Sequence, residues 1–245
     1  MGKRVTLRRL LNILGDFLFP PACLVCEKLL ETPGIVCPSC MEAYQEEKKR
    51  QCGMCFKPIY ACDCSLKGCR HKGMTHLYKV LPYRPSNKNS IGNQLIYAIK
   101  DKHLYYASEF MANELYETLK YHMLNLSGYE ITYIPASSKR MAEIGYNQMK
   151  LIAEILAQRL GIPVSAVLCR TREALPQKEL REKERVENTK NLFAVKKRAD
   201  VKGKRYLLID DIATTGSTLL AAGKTLRDAG ASKILYLSIA ATVKS

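Results

Sequence analysis

A chain of 245 residues, 47% of them hydrophobic, is long enough for one large domain or for a core domain with a smaller companion. Its formal net charge of +16, from 39 Lys/Arg against 23 Asp/Glu, predicts a polyanionic partner, either nucleic acid or the acidic face of a membrane. No apolar run approaches the roughly 18–20 residues of a membrane span, and no small-residue cleavage site follows the N-terminal apolar residues, so a cytoplasmic protein without a transmembrane segment is expected.

Met1 to Phe19 is basic and amphipathic, with Lys3, Arg4, Arg8 and Arg9 set among Val5, Leu7, Leu10, Leu11, Leu14, Phe17 and Leu18. Such a helix either packs on its own domain or lies on an anionic membrane surface as a peripheral contact. Pro20-Pro21 ends it. Nine of the ten cysteines then fall between Cys23 and Cys69, a clustering that points to metal rather than disulfides. Cys23-x-x-Cys26 and Cys37-x-x-Cys40 place four thiolates on two turns that can close a tetrahedral zinc site. Cys52-x-x-Cys55 with Cys62, Cys64 and Cys69 offers five thiols for four positions; Cys52, Cys55, Cys62 and Cys64 are the expected second set. One zinc ion is expected, and a second depends on that choice. Closed thiolate sets read as structural, with His71 and His76 as bystanders and Cys169 as a core thiol.

Leu77 to Tyr83 reads as the strand that opens a second region, which divides the chain into 1–76 and 77–245. Ser90 caps a helix through Ile99, Lys100-Asp101-Lys102-His103 breaks it, and a longer helix follows over about 104–121. Glu130 to Ile134 is a strand, Lys139 to Leu160 is helical with an interruption near Gly145, and Val164 to Leu168 is another strand. Arg170 to Asn191 is polar and highly charged. Strands at Leu192 to Val195, at Tyr206 and at Lys233 to Ala240 complete the series. Alternating strands and helices imply parallel pairing with right-handed crossovers. The expected fold is therefore an α/β parallel sheet flanked by helices, preceded by a small cysteine-rich zinc-binding domain.

The most informative stretch is Arg205 to Ala231. An apolar run, Tyr206 to Ile209, ends in Asp210 and Asp211; the small polar loop Ala213-Thr214-Thr215-Gly216-Ser217-Thr218 follows, and then an amphipathic helix closed by Gly230. A helix N-terminus presents backbone N–H groups without internal partners and favours an anion, and the threonine and serine hydroxyls add donors. The two carboxylates suit sugar hydroxyls or a magnesium ion. Tyr206 to Thr218 resembles the PRPP-binding motif of type I phosphoribosyltransferases, where PRPP is 5-phosphoribosyl 1-pyrophosphate. That resemblance implies that Asp210 and Asp211 hold the ribose 2′ and 3′ hydroxyls, that Ala213 to Thr218 hold the 5′-phosphate, and that magnesium accompanies PRPP. GxGxxG and the full GxxxxGK[ST] phosphate loop are absent.

The whole chain also resembles the late-competence ComF family, in particular its ComFC-like members. The matching pieces stand in order: Phe19-Pro20-Pro21 with the first knuckle, the second knuckle, the Cys52-x-x-Cys55 set, Lys100 and its neighbours, Gly145-Tyr146-Asn147-Gln148, Thr171 through Gln177 to Asn188, and the phosphoribosyl motif. The irregular spacing between Cys55 and Cys69 departs from the pattern. The resemblance implies a zinc-finger region joined to a phosphoribosyltransferase-fold domain, and a role in natural transformation. Single-stranded DNA would be handled at the inner side of the membrane with proteins of the uptake machinery, a helicase-like one among them. It assigns Lys100, Asp101 and Lys102 to the loop that meets pyrophosphate, with Lys100 joining Asp210 and Asp211 as catalytic, against the plainer reading of an interhelical turn. Gly145 to Gln148 is either a ligand-binding break or a simple helix kink. Arg170 to Arg205 has thirteen Lys/Arg and six Asp/Glu, +7 of the net +16, and resembles a hood over the site. An active transferase acting on a nucleobase or amine is the alternative function.

Overall fold

Four parallel strands form the central sheet in a computed structural model that describes residues 22–30, 34–87, 89–101, 105–171 and 192–242. They are β1 (Tyr78–Tyr83), β2 (Tyr129–Tyr133), β5 (Arg205–Ala213) and β6 (Lys233–Thr242), in the order β1-β6-β5-β2. The register sets Tyr78 opposite Leu237, Arg205 opposite Lys233 and Tyr129 opposite Arg205. A short antiparallel pair, β3 (Leu168–Arg170) with β4 (Phe193–Val195), stands apart from the sheet.

β5 runs between two neighbours, and its residues Tyr206, Leu207, Leu208 and Ile209 are wholly buried. A parallel strand covered on both faces reads as such a continuous apolar run. The two-residue period divides these side chains between two cores. Leu207 and Ile209 join Val80, Ile131 and Leu237 on one face, covered by α2 (Ile91–Asp101), α3 (Tyr105–Tyr121) and α5 (Gln148–Leu160). Tyr206 and Leu208 join Tyr236 on the other, covered by α6 (Ser217–Asp228), the β3–β4 pair and residues 66–77. Helices therefore flank a parallel sheet on both sides.

The cysteine-rich segment lies against this body. Its helix α1 (Pro38–Lys49) buries Tyr44, whose hydroxyl donates to Glu114 Oε2 on α3 at 2.6 Å; Lys48 meets the same carboxylate. Glu47, also buried, takes Arg50 at 2.8 Å and faces Arg84 at 3.6 Å.

Several expectations are corrected. The strand expected at Val164 to Leu168 is displaced: Val164 makes a single parallel bridge to Ile131, held by Ile131 N to Pro163 O and Ser165 N to Ile131 O, both 2.8 Å, and β3 begins only at Leu168. β3 and β4 then pair antiparallel with each other instead of extending the sheet. α2 passes Ile99 and includes Lys100 and Asp101, so these two residues form a helix end rather than a loop. The short helix α4 (Ser138–Ile144) precedes α5, with Gly145 in the left-handed region at φ +81° between them. The basic segment Met1 to Phe19 and the charged stretch 172–191 lie outside the described residues. Among the described residues no helix is long and apolar enough to cross a membrane.

Candidate functional site

Asp210 and Asp211 stand near the carboxyl end of β5, which continues two residues past them to Ala213. Asp210 is 8% exposed. Its Oδ1 accepts from Asp211 N at 2.9 Å, and Asp211 Oδ1 accepts from Ile212 N at 2.6 Å, so each carboxylate is oriented by the next backbone amide. The chain then turns at Gly216, the residue before α6, in the left-handed region at φ +73°. That conformation favours glycine, because a Cβ there strains the backbone. Thr215 Oγ1 lies 3.0 Å from Ser217 Oγ and 3.4 Å from Ser217 N, which closes the turn on itself. A small cradle of about 40 Å3 lies within this loop, bordered by Asp210, Ala213, Thr214, Gly216 and Thr218.

Beside it opens a cleft of about 160 Å3, with Asp210 and Asp211 on one wall and Arg140, Tyr146, Gln148 and Arg170 among the others. Ser137 caps α4 by accepting from Arg140 N at 3.1 Å, and Asn147 caps α5 by accepting from Met149 N at 3.0 Å. These caps fix the two helix starts that carry Arg140 and Gln148, whose side chains meet at 3.4 Å. Arg170 donates to Pro135 O at 2.7 Å and lies over the Phe193 ring at 5.3 Å. Tyr83, on β1, has its hydroxyl 3.4 Å from that of Tyr97; burial first, then Tyr97 and the charge of Asp211, push its phenol up to about 12. Hydroxyl-accepting carboxylates beside an anion-seeking helix start suit a ligand with vicinal hydroxyls at one end and a phosphate at the other.

The cysteines gather into two quartets, Cys23/Cys26/Cys37/Cys40 and Cys52/Cys55/Cys62/Cys64, each with its sulfur atoms within 4.8 Å of one another. Tetrahedral thiolates at about 2.3 Å from zinc lie about 3.8 Å apart, and Cys26 Sγ is 3.7 Å from Cys37 Sγ. Cys37 precedes the first turn of α1, where Pro38 stands, and its sulfur is 3.3 Å from Ser39 Oγ. The Ser39 hydroxyl, then the Cys40 backbone, bring the Cys37 thiol down to about 6. Burial pushes Cys40 and Cys64 up, as do the sulfurs crowded around each. A central dication relieves that crowding of sulfurs, so both quartets fit zinc.

Residues 151–243, from within α5 to the end of β6, match the family model of the phosphoribosyl transferase domain. This part of the chain is similar to a phosphoribosyl transferase domain. No curated protein matches the chain. Among solved structures it is similar to the glutamine PRPP amidotransferase of B. subtilis, at 21% identity over 53% of this chain and 25% of that one, with a TM-score of 0.35. It is likewise similar to the adenine phosphoribosyltransferase of Leishmania tarentolae, at 15% identity over 60% and 74%, with a TM-score of 0.37. The chain thus spans about a quarter of the amidotransferase.

Of the residues singled out from sequence, Asp210 and Asp211 line the cleft, and Asp210 with Ala213 to Thr218 borders the cradle beside it. Lys100 stands on α2 one turn beyond Ile96, which lines the cleft; Asp101 ends the helix, and Lys102 lies outside the described residues. Gly145 to Asn147 separate α4 from α5, and Tyr146, Asn147 and Gln148 line the cleft. Sequence reasoning missed Arg140, which lines the cleft. Arg140 follows the end of β2, and the tendency of ligands to bind outside the carboxyl ends of strands was the signal that could have found it.

Proposed function

We propose that the chain binds magnesium-PRPP in this crevice and uses the pocket in a ComF-type role, handling single-stranded DNA during natural transformation. The observation that carries the first half is that Asp210 borders both the cleft and the cradle, so one ligand can span them. Asp210 and Asp211 take the ribose 2′ and 3′ hydroxyls, and as hard oxygen donors they fit magnesium. Ala213, Thr214, Thr215, Gly216, Ser217 and Thr218 take the 5′-phosphate, and Lys100 to Lys102 the pyrophosphate. The DNA role is supported by the family resemblance, by the +16 charge, and by the exposed edge-to-face pair Tyr105 and Tyr106 beside the Lys100–His103 stretch. Exposed aromatics amid basic residues are stacking platforms, worth about 1–3 kcal/mol per base.

A second reading is favoured by the cleft beside the acids, which leaves room for a planar acceptor between them and Tyr146. In that reaction the bond from ribose C1 to pyrophosphate breaks, a bond from C1 to a nucleobase or amine nitrogen forms, and pyrophosphate leaves. Positioning and charge stabilisation would supply most of the rate.

Calorimetric titration with magnesium-PRPP is expected to give binding for the wild type and at least about tenfold weaker binding for Asp210→Asn/Asp211→Asn, as for lost charge-assisted bonds. An equal affinity in the double variant sinks the pocket assignment. Anisotropy of labelled single-stranded DNA should fall steeply as salt rises; absent or salt-independent binding sinks the nucleic-acid role. Pyrophosphate release with an added base decides for the transferase.

A further inference from the structure

Cys69 belongs to neither quartet, and it lies behind the loop of the cradle. Its Sγ donates to Thr215 O at 3.2 Å, and the side chain is 2% exposed. Burial pushes the thiol up, against the opposing effect of Lys72, which keeps the S–H donor in place at neutral pH. The same sulfur fills the space a Gly216 Cβ would enter, 2.9 Å away, with Leu66 Cδ1 at 3.1 Å and Met74 Cε at 3.6 Å.

The strap that carries Cys69 is anchored at both ends. The Lys79 ammonium, on β1, donates to Cys62 O, Cys64 O and Leu77 O, each at 3.1 Å. The Ser65 hydroxyl donates to Met74 O. On α6, the Arg227 guanidinium lies against Gly73 and reaches Lys72 O at 3.5 Å, while its other nitrogen donates to Tyr236 Oη at 2.6 Å. Cys69 is thereby held at a fixed height behind Thr215 and Gly216.

The carbonyl of one residue and the N–H of the next share a planar trans peptide and point in opposite directions. A Thr215 carbonyl turned back to Cys69 therefore turns the Gly216 N–H the other way, and Gly216 borders the cradle. We propose that Cys69 is a positioning residue for the anion cradle: its thiol fixes the Thr215–Gly216 peptide with the N–H facing the bound phosphate. This rests on the reading of that loop as the ribose-phosphate site, and it makes the cysteine-rich strap part of the site's back wall.

The test uses the full zinc-loaded chain and ribose 5-phosphate, by calorimetry and by the 1H–15N signal of the Gly216 amide. Cys69→Ala is expected to weaken binding about tenfold, the scale of one lost hydrogen bond, and to abolish the ligand-induced shift of the Gly216 signal. Cys69→Ser, which keeps a donor, is expected to restore both to near wild type. Should Cys69→Ala fail to fold, Cys69→Val keeps the volume without the donor and carries the same comparison. Wild-type affinity in a folded Cys69→Ala or Cys69→Val overturns the inference alone, as does a Cys69→Ser as weak as the alanine variant. A wild type that does not bind ribose 5-phosphate overturns the functional reading and the inference together.

Discussion

Gly223 sits in the middle of α6, where glycine costs about 1 kcal/mol relative to alanine. The reason lies across the interface. A Cβ at that position would stand 2.2 Å from the Tyr236 hydroxyl oxygen and 2.9 Å from two of its ring carbons, and that hydroxyl accepts from Arg227. Gly223→Ala should therefore lower stability by about 1–3 kcal/mol, the usual cost of overpacking, despite the better helix propensity. Tyr236→Phe in that background should recover part of the loss; urea unfolding of the four proteins measures it. Lys79 illustrates the opposite case. In the sequence it is a charge near the start of an apolar strand, and nothing local announces that it is 1% exposed. Its burial follows from the carbonyls of Cys62, Cys64 and Leu77 folding over it, a tertiary fact. The placement of Asp210 and Asp211 was legible because strand, loop and helix start follow one another within thirteen residues, Tyr206 to Thr218. Arg140 and Cys69 come from distant parts of the chain, and only packing brings one to the cleft and the other behind the cradle loop.

At the scale of elements, the two quartets give the sharpest prediction. Atomic absorption on purified protein should find one zinc per quartet in the wild type. Cys26→Ser and Cys55→Ser should each lose one ion and keep the other. A wild-type content of a single ion would remove one of the two centres. The sequence left five thiols for the second set, since spacing alone does not say which sulfur turns away. In the structure Cys52, Cys55, Cys62 and Cys64 gather, while Cys69 stands apart and donates to the Thr215 carbonyl. Short, nearly continuous apolar runs located β1, β2, β5 and β6, as expected of strands covered on both faces. The same signal misplaced β3, because Val164 makes only one bridge to the edge strand before the chain leaves the sheet. The run after Ile99 read as a breaker from its charges, yet helix geometry persists through Asp101.

Across the whole molecule, side-chain contacts cross the proposed division at residues 76 and 77. Tyr44 and Lys48 hold Glu114, and Lys79 and Arg227 hold the strap from the sheet side. A fragment starting at Leu77 would leave the Lys79 charge without the carbonyls of Cys62 and Cys64 and would open the rear of Gly216. We expect it to be insoluble, or to melt well below the full chain by differential scanning calorimetry; a fragment as stable as the whole would show the two parts to be independent. The strand order has a consequence for the timing of synthesis. β1 is made before the other strands of the sheet, yet its neighbour in that sheet is β6, made after them all. While the ribosome works through the intervening residues, Val80 and Leu81 have no partner strand to pair with. The nascent chain thus carries an unfinished apolar edge for most of its elongation, and a holding chaperone has most to do before Lys233–Thr242 emerges.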